Sequence, residues 1–521
     1  MLSLPGVAIF VLPWVQRIFI AFSYLADQRR RQALLFLKKK KQKDFYMLGQ
    51  GCGAAAAQGR RKNRLEGRMA QTGMLTLQQL RALAETGEID TVLMAAPDMQ
   101  GRLQGKRVMP RFFLESVTAD AAEGCAYLLA TDIECSPVAG YELTSWEKGY
   151  GDFVFVPDMA TLRLAPWQPG AAMVLCDIEL LGHKPAEMAP RSMLKKQLAR
   201  LAEHKLTAFA ATELEFILFR TSYEDAWNSA YRDLVPANQY NCDYSMLGTA
   251  RVEPVIRKIR NAMEAAGIQV ENSKGECNLG QHEINFRYGH ALEAADGHVI
   301  YKEAAKEIAA EAGHALTFMA KFNEREGNSC HTHLSLRDDA GKAVFLDDDG
   351  HSPSKTFLQF LAGLIAHAEE LALFFAPNIN SYKRYAAASF APTAIAWGMD
   401  NRTCAFRVLG HGKSLRVENR LPGGDVNPYL AMAAMIAAGL DGIERELAPV
   451  PVFSGNAYVA DLPQMPNTLA DAAKLFTGSE FTKAAFGADV VAHYGNMAKV
   501  ELDAFNSSVT DWERFRSFER M

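Results

Sequence analysis

Along most of the chain the apolar residues change spacing repeatedly, and each spacing predicts an element. Recurrence every three or four positions predicts helices. Leu77, Leu80, Leu83 and Ala84 follow a capping Thr76 and stop at Gly87. Further helices are expected over 191–205, 253–266, 297–321, 355–375 (after a capping Ser354) and the Ala-rich stretch 428–444. Strict alternation predicts strands. Early ones are expected at 91–95, 124–132, 153–156 and 173–178, with Asp98 to Lys106 as a turn region. Later ones fall at 210–219, 270–273, 281–287, 330–336, 402–408 and 415–421. A polar link over 182–190 separates the two sets. The expectation is an α+β protein with a leader over 1–72, a small sheet-rich domain over 73–185 and a larger domain over 186–521.

The polar halves of the later strands carry the chemistry. Alternate residues of a strand share a face, so Glu213 and Glu215 point together while Leu214, Phe216 and Leu218 point the other way. His331, His333 and Ser335 share a face, as do Arg416, Glu418 and Arg420, and the 276–283 stretch adds Glu276 and Glu283. A single strand of this kind usually turns its polar side to water. Four in one chain predict a curved sheet whose polar faces converge on one cavity. Five acids and a histidine are costly to bury unpaired. Divalent metal is their natural partner, and oxygen-rich ligands suit Mg²⁺ or Mn²⁺ over zinc. Arg384, Arg402, Arg407, Arg416 and Arg420 then read as clamps for phosphate and carboxylate. Metal with arginines is equipment for phosphoryl transfer. Neither a P-loop nor a Rossmann glycine motif is present.

Charge separates the leader from the rest. Residues 1–68 hold 14 Lys and Arg against three acids; of the totals of 56 and 60, that leaves 42 and 57 in the remainder, a net of −15. An acidic body attracts cations and excludes a nucleic-acid partner. In the leader, two short apolar pieces contain Pro5 and Pro13 and precede their basic clusters. Each is too short to span a bilayer alone, the two together are marginal, and their order is wrong for a secretory signal, so no membrane role is expected. An unstructured or wrongly assigned start is expected instead, with the true start at Met69 or Met74. The eight cysteines are scattered without a C-x-x-C pair, which points to a reduced, cytoplasmic protein.

Eight stretches, in order, carry a resemblance: Glu213-Leu-Glu-Phe, Gly280-Gln-His-Glu, His331-Thr-His-Leu-Ser, Asn380-Ser-Tyr-Lys-Arg384, Asp400-Asn-Arg402, Arg416-Val-Glu-Asn-Arg420, Asn427-Pro-Tyr-Leu and Val509-Thr-Asp-Trp-Glu. From about Thr76 onward the chain resembles the glutamine synthetase family. The resemblance implies a β-grasp-like N-terminal domain and a catalytic half-barrel of antiparallel strands backed by helices. It implies ATP-dependent ligation, in which the γ-carboxylate of glutamate is phosphorylated and an amine displaces phosphate. One metal site would be Glu215, Glu276 and Glu283, the other Glu213, His331 and Glu418. His333 and Ser335 would lie near ATP and glutamate, Arg384 and Arg420 on the glutamate carboxylates, and Gly327 by its amino group. Arg402 and Arg407 would meet phosphates, Arg416 would serve ATP, and Tyr288 would pack near adenine. Asp132, with Glu134 beside it, would anchor the amine across an interface in a double-ring dodecamer.

Two departures bear on the acceptor. Ammonia-using members carry a glutamate before the Ala-Pro of the flap, and here Phe390 precedes Ala391-Pro392. Phenylalanine cannot accept a proton, but it offers an apolar wall or cation–π face to an alkylamine. The tyrosine modified in some members is replaced by Ala460, although Tyr458 is near. Both changes resemble the γ-glutamylpolyamine synthetase branch, with putrescine or another polyamine as acceptor. The alternatives are an ammonia-using glutamine synthetase and a non-catalytic structural or regulatory ring.

Overall fold

The computed structural model describes residues 73–521, so the expectations for the leader lie outside the described residues. Thr76 begins the fold as its spacing predicts. Its hydroxyl accepts from the Gln79 N–H and the Gln79 side chain accepts from the Thr76 N–H, capping helix α1 (Leu77–Glu85). Leu80 of α1 packs with Val92, Met94, Phe153 and Val174 in a small core. These belong to a sheet of β1 (Thr91–Pro97), β2 (Leu103–Val108), β3 (Ala122–Cys125), β4 (Asp152–Pro157), β5 (Arg163–Leu164), β6 (Ala171–Leu180) and β7 (Lys184–Pro185). Its order is β2-β1-β6-β4-β3, with β5 and β7 also on β6. The alternation expected to continue to Asp132 ends at Cys125. There Ala126–Leu129 turns into a 3₁₀ helix that buries Ala126 and Leu129.

The second sheet holds β8 (Leu206–Phe219), β9 (Val270–Gly275), β10 (Gln281–Phe286), β11 (Gly289–His290), β12 (Ala315–Thr317), β13 (Cys330–Asp338), β14 (Trp397–Met399), β15 (Phe406–Leu409) and β16 (Arg416–Asn419). Its order is β14-β15-β16-β13-β8-β10-β9, with β11 and β12 also on β8. Only β14 and β15 pair in parallel; their neighbours are antiparallel. Leu214, Phe216, Ile284, Leu334 and Val417 turn into the main core. Helices α2 (Pro190–Glu203), α3 (Glu253–Ala265), α4 (Ala291–Glu311), α5 (Lys355–Ala366), α6 (Pro428–Glu444) and α7 (Ala488–Ser507) add side chains to it. Helix α6 is buried almost throughout. It lies so close to α5 that a Cβ on Gly363 would stand 2.0 Å from the Ala438 carbonyl oxygen, and one on Gly442 would stand 2.1 Å from that of Gln359.

Two long helices are shorter than their patterns predict. The helix expected to reach Lys321 ends at Glu311, where Gly313 takes the left-handed conformation and the chain returns as β12. The helix expected to reach Phe375 stops at Ala366, and Ala372–Phe375 forms a separate turn. The two sheets meet at Arg191 on α2. Its buried guanidinium pairs with Asp158 beyond β4 (2.7 Å), Asp177 on β6 (2.6 Å) and Asp296 on α4 (2.9 Å).

Candidate active site

Cross-strand register sets the site. His331 on β13 lies opposite Glu213 on β8, and Glu283 on β10 lies opposite Glu215. Glu418 on β16 lies between His333 on one side and Arg407 on the other. Residues distant in sequence thereby share one face of the sheet, as the alternation predicts.

Two clusters result. In the first, carboxylate oxygens of Glu215, Glu276 and Glu283 lie within 4.8 Å of one another. The Ser329 N–H (2.7 Å) and Gln281 Nε2 (3.0 Å) donate to Glu215. Lys274 pairs with Glu276 and with Asp243 at 3.3 Å. Burial, and then the charges of Glu276 and Glu283, push the Glu215 pKa well above the usual carboxylate range. Burial and the charges of Glu213 and Glu276 push Glu283 up to about 8. Burial raises Glu276 as well. Three such groups resist ionising together without a cation.

In the second cluster, ligand atoms of Glu213, His333 and Glu418 lie within 4.8 Å of one another. His331 joins them, with Nδ1 3.2 Å from Glu213 and 3.5 Å from Glu418. Both imidazoles therefore reach the acids, where the resemblance implied only His331 as a ligand. Burial pushes Glu213 up, but hydrogen bonds from His331 and His333 prevail and hold it well below the usual range. Burial likewise opposes ionisation of Glu418, and the neighbouring His331 and Arg420 outweigh it. Burial and the Arg420 charge press the His331 pKa down to about 4, which leaves its ring neutral at pH 7. Its Nε2 is buried without a partner. Imidazole nitrogens of His331 and His333 standing 3.0–3.5 Å from crowded carboxylates fit a divalent cation, and the nitrogen and oxygen donor set suits a hard ion.

The arginines divide by what they hold. Arg420 donates to Glu418 (2.6 Å) and to the Phe390 carbonyl (3.1 Å). Arg407 donates to Glu418 (2.9 Å) and Asp400 (2.9 Å). Arg416 reaches His333 Nδ1 at 3.2 Å. Buried Arg384 spends its terminal nitrogens on Ser329 and on the carbonyls of Arg420 and Leu421. Arg402 is exposed in the link between β14 and β15. Gly327 is a close approach: a Cβ there would stand 2.2 Å from the Ala320 carbonyl oxygen, and its own carbonyl accepts from Gln281 (2.9 Å).

Beside the second cluster lies a cavity of about 540 Å³, whose lining includes Glu213, Tyr288, His333, Ser335 and Arg416. Phe209 and Arg337 also line it. The guanidinium carbon of Arg337 lies 4.5 Å from the Phe209 ring centroid, and Arg337 donates to the Tyr288 hydroxyl (3.1 Å). Sequence reasoning missed this pair, although the same alternation reaches Arg337 one step beyond Ser335 and Phe209 two steps before Glu213. Asp132 stands apart. Its carboxylate accepts from the N–H groups of Glu134 and Ser136, both at 2.9 Å, and none of its hydrogen bonds reaches the carboxylate clusters.

Comparison with known proteins finds one family. The model of the glutamine synthetase catalytic domain matches residues 187–517. A γ-glutamylethanolamide synthetase from Streptomyces coelicolor is 58% identical over 451 residues, covering 87% of this chain and 97% of that protein. A glutamate–isopropylamine ligase from a Pseudomonas species is 38% identical, covering 86% of this chain and 99% of that protein. The solved structure of a GmaS/ADP complex superposes with a TM-score of 0.74 at 32% identity, covering 84% of this chain and 99% of that one.

Proposed function

Because the chain belongs to the glutamine synthetase family and is an ATP-dependent carboxylate–amine ligase, we propose that it joins the γ-carboxylate of glutamate to a short primary alkylamine through γ-glutamyl phosphate. The observation that carries the choice of acceptor is Phe390. It is the flap residue whose ring is exposed and whose carbonyl is held by Arg420, so an apolar group stands where ammonia-using enzymes keep an acid. The names of two relatives, an ethanolamide synthetase and an isopropylamine ligase, support an amine with a small tail.

Each residue then has a task. Phe209, Tyr288 and Arg337 form an aromatic and cationic wall for the adenine, while Ser335, Arg416, Arg407 and Arg402 serve the phosphates. Arg384, Arg420, His333 and Gly327 face glutamate. Glu215, Glu276 and Glu283 would hold one Mg²⁺ or Mn²⁺, and Glu213, His331 and Glu418, with His333 in reach, the other. The bound ions would supply neutralisation of the phosphate charge. Asp132 would act on a neighbouring subunit's acceptor in a double-ring homo-oligomer in the cytoplasm; native mass spectrometry of the purified protein tests the ring.

The direct test is phosphate release with ATP, glutamate, Mg²⁺ and one amine at a time. Turnover with ethanolamine or isopropylamine is expected to exceed turnover with ammonium. Faster turnover with ammonium overturns the proposal. Putrescine, the acceptor the flap also admits, is expected to be slower than ethanolamine; the reverse order would reassign the acceptor within the same ligase.

A further inference from the structure

The flap between Arg384 and Pro392 is held in an uncommon shape. Ala388 and Phe390 both take the left-handed conformation, with φ of 60° and 59°. Residues with a Cβ rarely adopt it, and bulky ones least readily. Such a conformation persists where its surroundings fix it. Two hydrogen bonds act here on consecutive carbonyls. Arg420 donates to the Phe390 carbonyl (3.1 Å), and the Tyr458 hydroxyl donates to that of Ala391 (3.0 Å). Within the flap, the Ser389 hydroxyl closes a turn on the Ala386 carbonyl (2.6 Å).

Arg420 has a second task, since it also answers Glu418. Tyr458 belongs to neither cluster and to neither sheet. It stands half-buried in the short 3₁₀ turn Ala457–Val459. Asn456 caps that turn by accepting from the Tyr458 N–H (3.0 Å). Ala457 is buried with Ala394, Ala396 and Cys404, and its N–H donates to the Thr403 hydroxyl (3.0 Å). Asn401 donates to the Gly455 carbonyl (2.9 Å). The turn is thereby fixed to the link that carries Arg402, and its phenol reaches across to the flap. Further on, the same segment pairs with the residues that follow the flap. The Ile395 N–H donates to the Pro463 carbonyl (2.7 Å) and the Met465 N–H to that of Thr393 (2.9 Å).

We propose that Tyr458 is a positioning residue for acceptor choice: its hydroxyl latches the Ala391 carbonyl and so sets where the Phe390 ring stands. The inference rests on reading the flap as a wall of the acceptor's site. With the latch made, the backbone on both sides of the Phe390–Ala391 bond is pinned, and Phe390 keeps its left-handed shape. Without it, Arg420 alone restrains this end of the flap and the ring ranges more widely.

Tyr458→Phe removes one oxygen and keeps the ring. Phosphate release and hydrogen exchange of the full chain, followed by mass spectrometry, decide the matter. The KM for ethanolamine is expected to rise about tenfold, the worth of one good contact. The kcat and the KM for ATP are expected to stay within about twofold of wild type, the pattern of lost acceptor binding. Amides of 386–391 are expected to exchange faster, and those of β15 at the wild-type rate. Val459→Ala, at the exposed neighbouring position, is expected to change neither readout. Asn456→Ala, which uncaps the turn, is expected to shift both in the direction of Tyr458→Phe, and it decides the matter should Tyr458→Phe fail to fold. An unchanged KM for the acceptor, unchanged flap exchange, or a rise shared equally by ATP overturns the proposal. Should the wild type turn over ammonium faster, which defeats the proposed acceptor, the KM is read on ammonium, so the two readings fail separately.

Discussion

Glu418 concentrates the demands of the site. It is fully buried and answers Arg407 and Arg420, with His331 beside it. Glu418→Gln is expected to keep the shape and lower phosphate release by about a thousandfold, the scale of a lost transition-state contact. Glu418→Ala leaves two guanidiniums without a partner and is expected to cost about 3–5 kcal/mol of stability as well. Wild-type turnover by a folded Glu418→Gln would remove its assigned role. At Phe390 the expected outcome is a change of preference. Phe390→Glu should raise the ratio of ammonium to ethanolamine turnover about tenfold, the worth of one good contact; an unchanged ratio removes the argument from the flap. Most of these residues are legible because a strand's period of two sorts them by face. Arg384 is not, since it ends the 3₁₀ turn Ile379–Arg384, where no alternation exists to be read. The partners of Asp132 are equally hidden, because they depend on the shape of a local loop.

Among elements, α5 and α6 approach closely and are joined at the end of α5 by His367. Its Nε2 lies 2.7 Å from Asp441 on α6, its Nδ1 pairs with Glu370, and its ring stacks on Phe481 at 3.6 Å. Burial pushes its pKa down, but the two acids outweigh burial and hold it above the ordinary value of 6.5. A raised pKa favours the folded state fully below about pH 6.5, and the gain is lost as pH rises through the folded value. The difference in Tm between wild type and His367→Gln should therefore be large at pH 6 and shrink by pH 9. An equal difference at both ends would exclude the ionic link. After Glu369 and Glu370 the apolar spacing resumes at Leu371 and runs to Phe375, so the break between the two helices was not readable from spacing. What ends the helix is the turn at His367, fixed by an acid on α6 and another three residues on. The apolar pattern of α6, by contrast, predicted its bounds, because every face of that helix is covered and it has a proline start.

Across the whole molecule, the α+β architecture and the curved sheet followed from counting spacings. The way the two sheets are joined did not, because Arg191 draws acids from three separate segments and no local pattern encodes that meeting. Arg191→Met is expected to lower stability by about 3–5 kcal/mol, since buried Asp296 loses its counter-charge while Asp177 keeps only Lys195. Urea unfolding measures this, and a loss below about 1 kcal/mol would show that water replaces the guanidinium.

The place of β8 in its sheet has a consequence for synthesis. This central strand leaves the ribosome long before β10, β13 and β16, which supply its neighbouring acids and imidazoles. A nascent chain halted before Arg416 holds Glu213 and Glu215 but lacks Glu418, so its catalytic hollow is open on one side. Competence for the reaction therefore arrives late in translation and abruptly, when one short segment docks.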